Sequence, residues 1–300
     1  MRRKILLIDD DRLQYRVTQG HFASFASELY ELDWAATYEE GLDKLLGGSF
    51  AACLLDYQLG ERDGLQLIRE AVARGSRTPI VFLTAETAQR VDIEAMNAGA
   101  LDYLVKGEIT PRMLERSIRY ALKLGDTLDA LHRLATRDEL TGLLNRREFD
   151  RVLAEEQERT LRFGHPLAFA MMDVDRFKAV NDAHGHLAGD AVLREIGRRL
   201  AVQVRNVDRV ARFGGDEFAV LLVQTEKSAA VEVLRRVCAA IKSAPVMTEG
   251  GVTIDAALSV GIAAMPEDAR TADTLVAAAD KALYAAKAGG RDRAVAYGGS

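Results

Sequence analysis

The chain has 300 residues, with 40 Lys+Arg against 45 Asp+Glu and a formal net charge of −5. Roughly 150 residues per domain predicts about two domains, each long enough to bury its own core. With 48% apolar and 28% charged residues and only 5 prolines and 24 glycines, the composition is that of soluble globular protein and excludes disorder and collagen-like repeats. The acidic balance argues against a nucleic-acid partner. The 2 cysteines, Cys53 and Cys238, lie far apart in apolar stretches and read as buried thiols. That excludes a disulfide framework and fits a reducing, cytoplasmic compartment. Ile5–Ile8 is too short for a signal-peptide core of about 7–15 residues. No stretch approaches the roughly 18 apolar residues of a membrane helix, so no membrane partner is expected.

Residues 1–105 alternate short apolar runs with amphipathic stretches. The runs are Ile5–Ile8, Leu32–Ala36, Ala51–Leu55, Ile80–Leu83 and Leu101–Val105. Helical patterns lie near 12–27, 38–47, 63–75 and 88–98. This alternation predicts a doubly wound α/β domain with five parallel strands covered on both faces. Ligands of such sheets bind beyond the carboxyl ends of the strands. The predicted strand ends carry Asp9-Asp10-Asp11, Asp56, Thr84 and Lys106. A lone Asp after a strand is usually a cap or turn residue. Carboxylates delivered from separate strands suit a hard divalent cation such as Mg²⁺ (or Mn²⁺), leaving one free to attack a phosphoryl donor.

Residues 1–123 resemble a response-regulator receiver domain. The resemblance rests on Ile5-Leu6-Leu7-Ile8-Asp9-Asp10, Leu54-Leu55-Asp56, Asp63-Gly64, Leu83-Thr84-Ala85 and Asp102-Tyr103-Leu104-Val105-Lys106. It implies Asp56 as phosphoacceptor. Asp9, Asp10, Asp56 and the backbone carbonyl of Gln58 would hold the metal. Thr84 and Tyr103 would be the switch pair, and Lys106 the phosphate-binding lysine. A histidine kinase or phosphotransfer protein is the implied partner. Gly107 and Gly60 depart from the family, which favours proline at or near both loop positions.

Pro111 opens a helical pattern. Leu114, Ile118, Ala121 and Leu122 should face the receiver core. Ala121, Leu124, Leu128, Leu131 and Ala135 then recur at spacings of 3 and 4, a short coiled-coil-like seam across a helical linker at 124–137. Gly125 is its weak point, at a cost of about 1 kcal/mol relative to Ala.

Residues 138–300 mix helical patterns near 145–162, 187–204, 227–242 and 272–287 with strands that read as antiparallel. Leu167–Met172 runs into Asp173, and Val252–Ala264 is another strand region. Val207–Phe213 and Phe218–Val223 flank Gly214-Gly215-Asp216-Glu217, a hairpin with a glycine-bearing turn. Two glycines let backbone approach a phosphate closely, and the adjacent carboxylates can bind Mg²⁺ with Asp173. Standing alone, the turn also reads as a plain surface hairpin. Asp175-Arg176 also reads as a capped helix start.

Asp173-Val174-Asp175-Arg176-Phe177-Lys178 and the Gly-Gly-Asp-Glu turn, taken together, resemble the GGDEF family of diguanylate cyclases. Asp138-Glu139-Leu140-Thr141-Gly142-Leu143-Leu144-Asn145-Arg146 and Asp280-Lys281-Ala282-Leu283-Tyr284 extend the likeness across 138–300. The resemblance implies an α+β ferredoxin-like fold akin to nucleotide cyclases. It implies joining two GTP into cyclic di-GMP, with release of two pyrophosphates. Asp173, the Val174 carbonyl, Asp216 and Glu217 would serve Mg²⁺, and the general base stays open between Asp216 and Glu217. Lys178, Lys287 and Arg291 would hold the β- and γ-phosphates. Phe177, Gly214 and Gly215 would border the substrate, and Asn181 and Asp190 would read guanine. A buried Asp190 accepts from guanine N1–H and N2–H₂, donors that adenine lacks. His184 is expected to pack and His186 to support the fold. Arg205 and Asp208, spaced as a common surface ion pair, resemble the family's inhibitory product site, with Arg236 joining.

Each GTP must attack the other, so two half-sites must face each other in a homodimer or tetramer. Phosphorylation of Asp56 is expected to control that alignment. The rival readings are a catalytically silent cyclic di-GMP receptor and a phosphorylation-dependent interaction module.

Overall fold

A computed structural model describes residues 2–25, 29–85, 89–248 and 250–298. The chain divides into two units, Met1–His132 and Arg133–Ser300.

In the first unit, β1 (Arg3–Ile8), α1 (Arg12–Ala23), β2 (Tyr30–Ala35), α2 (Tyr38–Leu46) and β3 (Ala52–Asp56) are followed by a two-residue hairpin, β4 (Gln58–Leu59) and β5 (Arg62–Asp63). Then come α3 (Gly64–Ala73), β6 (Ile80–Thr84), α4 (Gln89–Ala98), β7 (Asp102–Val105) and α5 (Pro111–Thr136), whose residues through His132 belong to this unit. Side-chain caps set the helix starts: Asp11 accepts from Leu13 N–H, Thr37 from Glu40 N–H and Asp63 from Gln66 N–H. The strands form one parallel sheet in the order β2-β1-β3-β6-β7. The near-continuous apolar runs bury both faces. Leu6, Ile8, Leu55 and Phe82 pack with Leu67 and Ile68 on one side, while Ile5, Leu7, Leu54 and Val81 pack with Leu114, Ile118, Ala121 and Leu122 on the other. The strand order reverses between β1 and β3, which places their carboxyl ends at the topological switch point.

Two details depart from the sequence reading. The helix near 12–27 ends at Ala23, where Ser24 N–H donates to the carbonyls of His21 and Phe22; residues 26–28 lie outside the described residues. Gly125 is a contact point rather than a weak point. A Cβ there would sit 2.2 Å from Pro79 Cγ, so only glycine lets α5 lie against the segment before β6. Of the seam residues, Leu124, Leu128 and Leu131 are exposed, whereas Ala121 is in the core.

The second unit contains β8 (Leu144–Asn145), α6 (Arg146–Phe163), β9 (Leu167–Val174), α7 (Phe177–His184), α8 (His186–Gln203), β10 (Arg209–Gly214), β11 (Glu217–Val223) and α9 (Lys227–Lys242). The small pair β12 (Val246–Met247) and β13 (Thr253–Ile254) precedes β14 (Leu258–Met265), α10 (Ala272–Ala288) and β15 (Arg293–Ala296). The sheet order is β15-β14-β9-β11-β10-β8, antiparallel through its centre and parallel at both edges. Successive residues of β9 alternate between two cores. Ala168, Ala170 and Met172 pack with Val192, Ile196, Leu234 and Val237, whereas Leu167, Phe169 and Met171 pack with Phe149, Leu153, Leu275 and Leu283.

The single strand region read at 252–264 is two strands, separated by Asp255–Ala257. α7 follows the helix start read at Asp175-Arg176, though its extent was not read, and β15 is a four-residue edge strand that was not read. Both cysteines are buried, and burial pushes the Cys238 thiol up to about 12. Among the described residues, no helix is long and apolar enough to cross a membrane.

Candidate functional site

At the switch point of the first unit, β1 delivers Asp9 and Asp10, and β3 delivers Asp56. Their carboxylate oxygens lie within 4.8 Å of one another, the only group of three or more metal-ligand side chains so arranged among the described residues. Asp9 and Asp56 are buried, and Asp10 is exposed. Lys106, at the end of β7, bridges Asp9 Oδ2 and Asp56 Oδ1, each at 2.9 Å. Burial, then the charge of Asp9, pushes the Asp56 carboxyl up to about 6 against the opposing Lys106 hydrogen bond. Burial also raises Asp9. An acceptor-rich pocket that resists ionisation in its own company fits a hard cation. Thr84 is buried at the end of β6, whereas Tyr103 is 39% exposed on β7. Gln58 lies on β4.

Gly60 explains one family departure. It has φ +66° and donates its N–H to Asp10 Oδ2 at 2.9 Å. Proline can supply neither the angle nor the donor. Gly107 occupies a short 3₁₀ turn where a Cβ would meet nothing. The chain's single tryptophan, Trp34, donates Nε1–H to the Asp9 carbonyl at 2.8 Å. Sequence periodicity had no means to place it there.

In the second unit, sheet register assembles the acidic residues. Asp173 at the end of β9 stands opposite Glu217 on β11, and Val174 N–H donates to the Asp216 carbonyl at 3.1 Å. Gly214 and Gly215 are exposed at the turn, Gly215 with φ +50°. Burial, then repulsion from Asp173 and Asp216, raises Glu217. Burial raises Asp173 against an opposing hydrogen bond from Lys287, whose Nζ lies 2.6 Å from Asp173 Oδ2. Asp173, Asp216 and Glu217 do not reach the close spacing of the Asp9 cluster, and Lys287 occupies one Asp173 oxygen.

Lys178 is exposed in the first turn of α7, beside half-buried Phe177. The tight α7–α8 turn brings Asn181 against Gly189, the residue before Asp190. Gly189 makes the approach feasible: a Cβ there would lie 2.0 Å from Asn181 Oδ1. That oxygen is buried and accepts no hydrogen bond. Asp190 is half-buried, not buried as the sequence reading expected. His184 and His186 are both exposed, correcting the packing roles expected for them. Arg291 lies 4.0 Å from Asp175.

Arg205, Asp208 and Arg236 line one groove of about 470 Å³ with Thr225 and Val233. The Asp208 side chain is only 2% exposed, and its oxygens accept from Arg205 N–H, Nε and Nη2 and from Val223 N–H. In this conformation Asp208 shapes Arg205, and Arg205 and Arg236 offer the exposed cations. Sequence reasoning missed Arg212. It donates to the Gly215 carbonyl at 3.0 and 2.8 Å and to both Asp138 oxygens, tying the opening signature to the glycine turn. An arginine at a fixed offset before Gly214 was its only signal.

Comparison with known proteins agrees with both halves. The response regulator receiver domain model matches residues 5–119, and the diguanylate cyclase, GGDEF domain model matches residues 135–293. Response regulator PleD of Caulobacter vibrioides is 28% identical over 97% of this chain and 65% of its own length. Diguanylate cyclase DgcP of Pseudomonas aeruginosa is 43% identical over 53% of this chain and 23% of its own. The chain thus spans less than two thirds of either relative. The coiled coil and GGDEF domain of DgcB from Caulobacter crescentus, solved with c-di-GMP, matches at TM-score 0.55 and 30% identity, covering 62% of this chain and 97% of that one. A parallel receiver sheet, a mixed sheet with Asp173 opposite Glu217 beside the Gly-Gly turn, and a family match over more than half its length establish that this chain belongs to the GGDEF diguanylate cyclase family, with a response-regulator receiver domain at its N-terminal side.

Proposed function

We propose that this chain is a phosphorylation-controlled diguanylate cyclase that joins two GTP into cyclic di-GMP and releases two pyrophosphates. The observation that carries the reading is the register of β9 against β11, which sets Asp173 opposite Glu217 with the Gly214-Gly215-Asp216 turn at the rim. Three mutually repelling carboxylates there suit Mg²⁺, held by Asp173, Asp216, Glu217 and the Val174 carbonyl. Bound Mg²⁺ would neutralise charge on the phosphates during in-line displacement. Lys287 occupies the position of that charge in the structure, and on substrate binding it turns with Lys178 and Arg291 to the β- and γ-phosphates. Asn181 and Asp190 select guanine. The 3′-hydroxyl of one GTP loses its proton to Asp216 or Glu217 and attacks the α-phosphate of the other, which requires a second copy of the chain.

The proposed organisation is a receiver at 1–123, a helical linker at 124–137 and a cyclase at 138–300. A kinase or phosphotransfer protein supplies phosphate to Asp56, Lys106 holds the phosphoryl oxygens, and Thr84 and Tyr103 rearrange; Asp9, Asp10, Asp56 and the Gln58 carbonyl would hold a second Mg²⁺ that would neutralise phosphoryl charge. Cyclic di-GMP returns to the Arg205–Arg236 groove as an inhibitor. The test is purified protein with GTP and Mg²⁺, with and without beryllofluoride, followed by product identification. Cyclic di-GMP formation that rises with beryllofluoride and disappears in Asp216→Ala is expected. No cyclic dinucleotide in either state refutes the reading.

A further inference from the structure

The Asp175 carboxylate belongs to none of the roles above. Its side chain is 7% exposed. Oδ1 accepts from Ser259 Oγ at 2.6 Å, and Oδ2 accepts from Asp292 N–H at 2.9 Å. Its own N–H donates to the Ala257 carbonyl at 2.9 Å. One buried group therefore joins the end of β9, the start of β14 and the turn after α10, segments 84 and 117 residues away in sequence.

The joined turn is a strained one. Arg291 and Asp292 have φ of +63° and +48°, left-handed conformations that side chains resist. Such a turn persists only when its surroundings overdetermine it. Asp175 supplies the restraint from within, and the Lys242–Asp292 ion pair supplies one from outside. Arg291 Nε lies 4.0 Å from Asp175 Oδ1, on the solvent side, with its side chain half exposed. The same segment follows the helix that brings Lys287 to Asp173.

We propose that Asp175 is a positioning residue that sets the Arg291 turn at a fixed distance from the Asp173–Val174 strand end, touching neither nucleotide nor metal itself. This rests on the cyclase reading, in which Arg291 grips the triphosphate. The two failures are separable. A wild-type chain that forms no cyclic di-GMP from GTP refutes the cyclase reading, whereas the positioning role is decided by a coupling measurement.

The experiment is a double-mutant cycle of Asp175→Asn and Arg291→Ala in the full chain. It reads KM for GTP, kcat, and calorimetric affinity for magnesium triphosphate. Asp175→Asn removes the charge and leaves a single acceptor oxygen for the two donors, Ser259 Oγ–H and Asp292 N–H. The single substitution should raise KM about 10-fold and weaken triphosphate binding similarly, with kcat changed less than about 3-fold. In the Arg291→Ala background it should change either quantity less than about 2-fold, because the group it positions is gone. Ser259→Ala, which keeps Asp292 engaged, should raise KM less than Asp175→Asn. Additive effects in the two backgrounds, or a lowered melting temperature with unchanged KM and triphosphate affinity, overturn the proposal.

Discussion

Gly189→Ala separates recognition from stability at the proposed guanine site. The added Cβ would lie 2.0 Å from Asn181 Oδ1, 3.0 Å from Asn181 Cγ and 3.1 Å from Phe177 Cζ. Ordinary carbon contacts are about 3.5–4.0 Å, so the amide must withdraw by more than about 1 Å. Backbone is not among the crowded atoms. The helix gains about 1 kcal/mol from replacing glycine and loses about 1–3 kcal/mol to the crowding. The melting temperature should therefore move by only a few degrees. The displaced oxygen is the buried acceptor that a guanine donor would satisfy. Losing that hydrogen bond and tilting Phe177 should cost about 1–3 kcal/mol of binding, or roughly 5- to 150-fold in KM for GTP. Steady-state kinetics beside a thermal melt make the test. A normal KM in a protein of normal stability refutes the argument that Asn181 reads the base.

Gly261→Ala should do the reverse. Its Cβ would lie 2.1 Å from both the Ala279 carbonyl and Leu283 N, so α10 must lift off β14; a loss of about 1–3 kcal/mol or more should appear as a lower melting temperature of the cyclase unit. Trp34 fluorescence should report Mg²⁺ at the receiver. Because Asp56 sits at about 6, protons should displace the metal as pH falls through 6, and a response flat from pH 8 to 5 would refute the site. For the metal-free receiver the sign is opposite. A carboxyl raised from 3.8 to about 6 costs nothing below 3.8 and destabilises as pH rises through 6, so Asp56→Asn should raise the melting temperature at pH 7.5. Arg205→Ala should relieve product inhibition, seen as linear rather than decaying progress curves. It also removes two of the four hydrogen bonds to buried Asp208, so a modest fall in stability accompanies it.

The receiver was the more legible half. Parallel strands covered on both faces must be apolar throughout, so Ile5–Ile8 and Ile80–Leu83 announced themselves, and the strand-end rule located Asp9, Asp56, Thr84 and Lys106. The cyclase was less so. α7 is eight residues long and enters from Arg176 at φ +58°, without a side-chain cap to mark it. β15 is an edge strand of four residues. Strand breaks such as Asp255–Ala257 follow sheet geometry rather than residue type.

The sequence by itself determined which chemistry is present: carboxylates at strand ends, a glycine pair before Asp216 and Glu217, cations at Lys106, Lys287 and Arg291. These are local signals, because turns, caps and strand ends are specified by adjacent residues. Tertiary structure alone decided what those groups do to one another. It placed Lys106 between Asp9 and Asp56 and saturated Asp208 with Arg205. It also turned Gly125 from a flaw in a helix into the point where the helix meets Pro79, and it recruited Asp175 to hold a turn 117 residues away. Such pairings depend on sheet register and helix docking, which come from the summed burial of both cores and leave no mark at the individual positions they join.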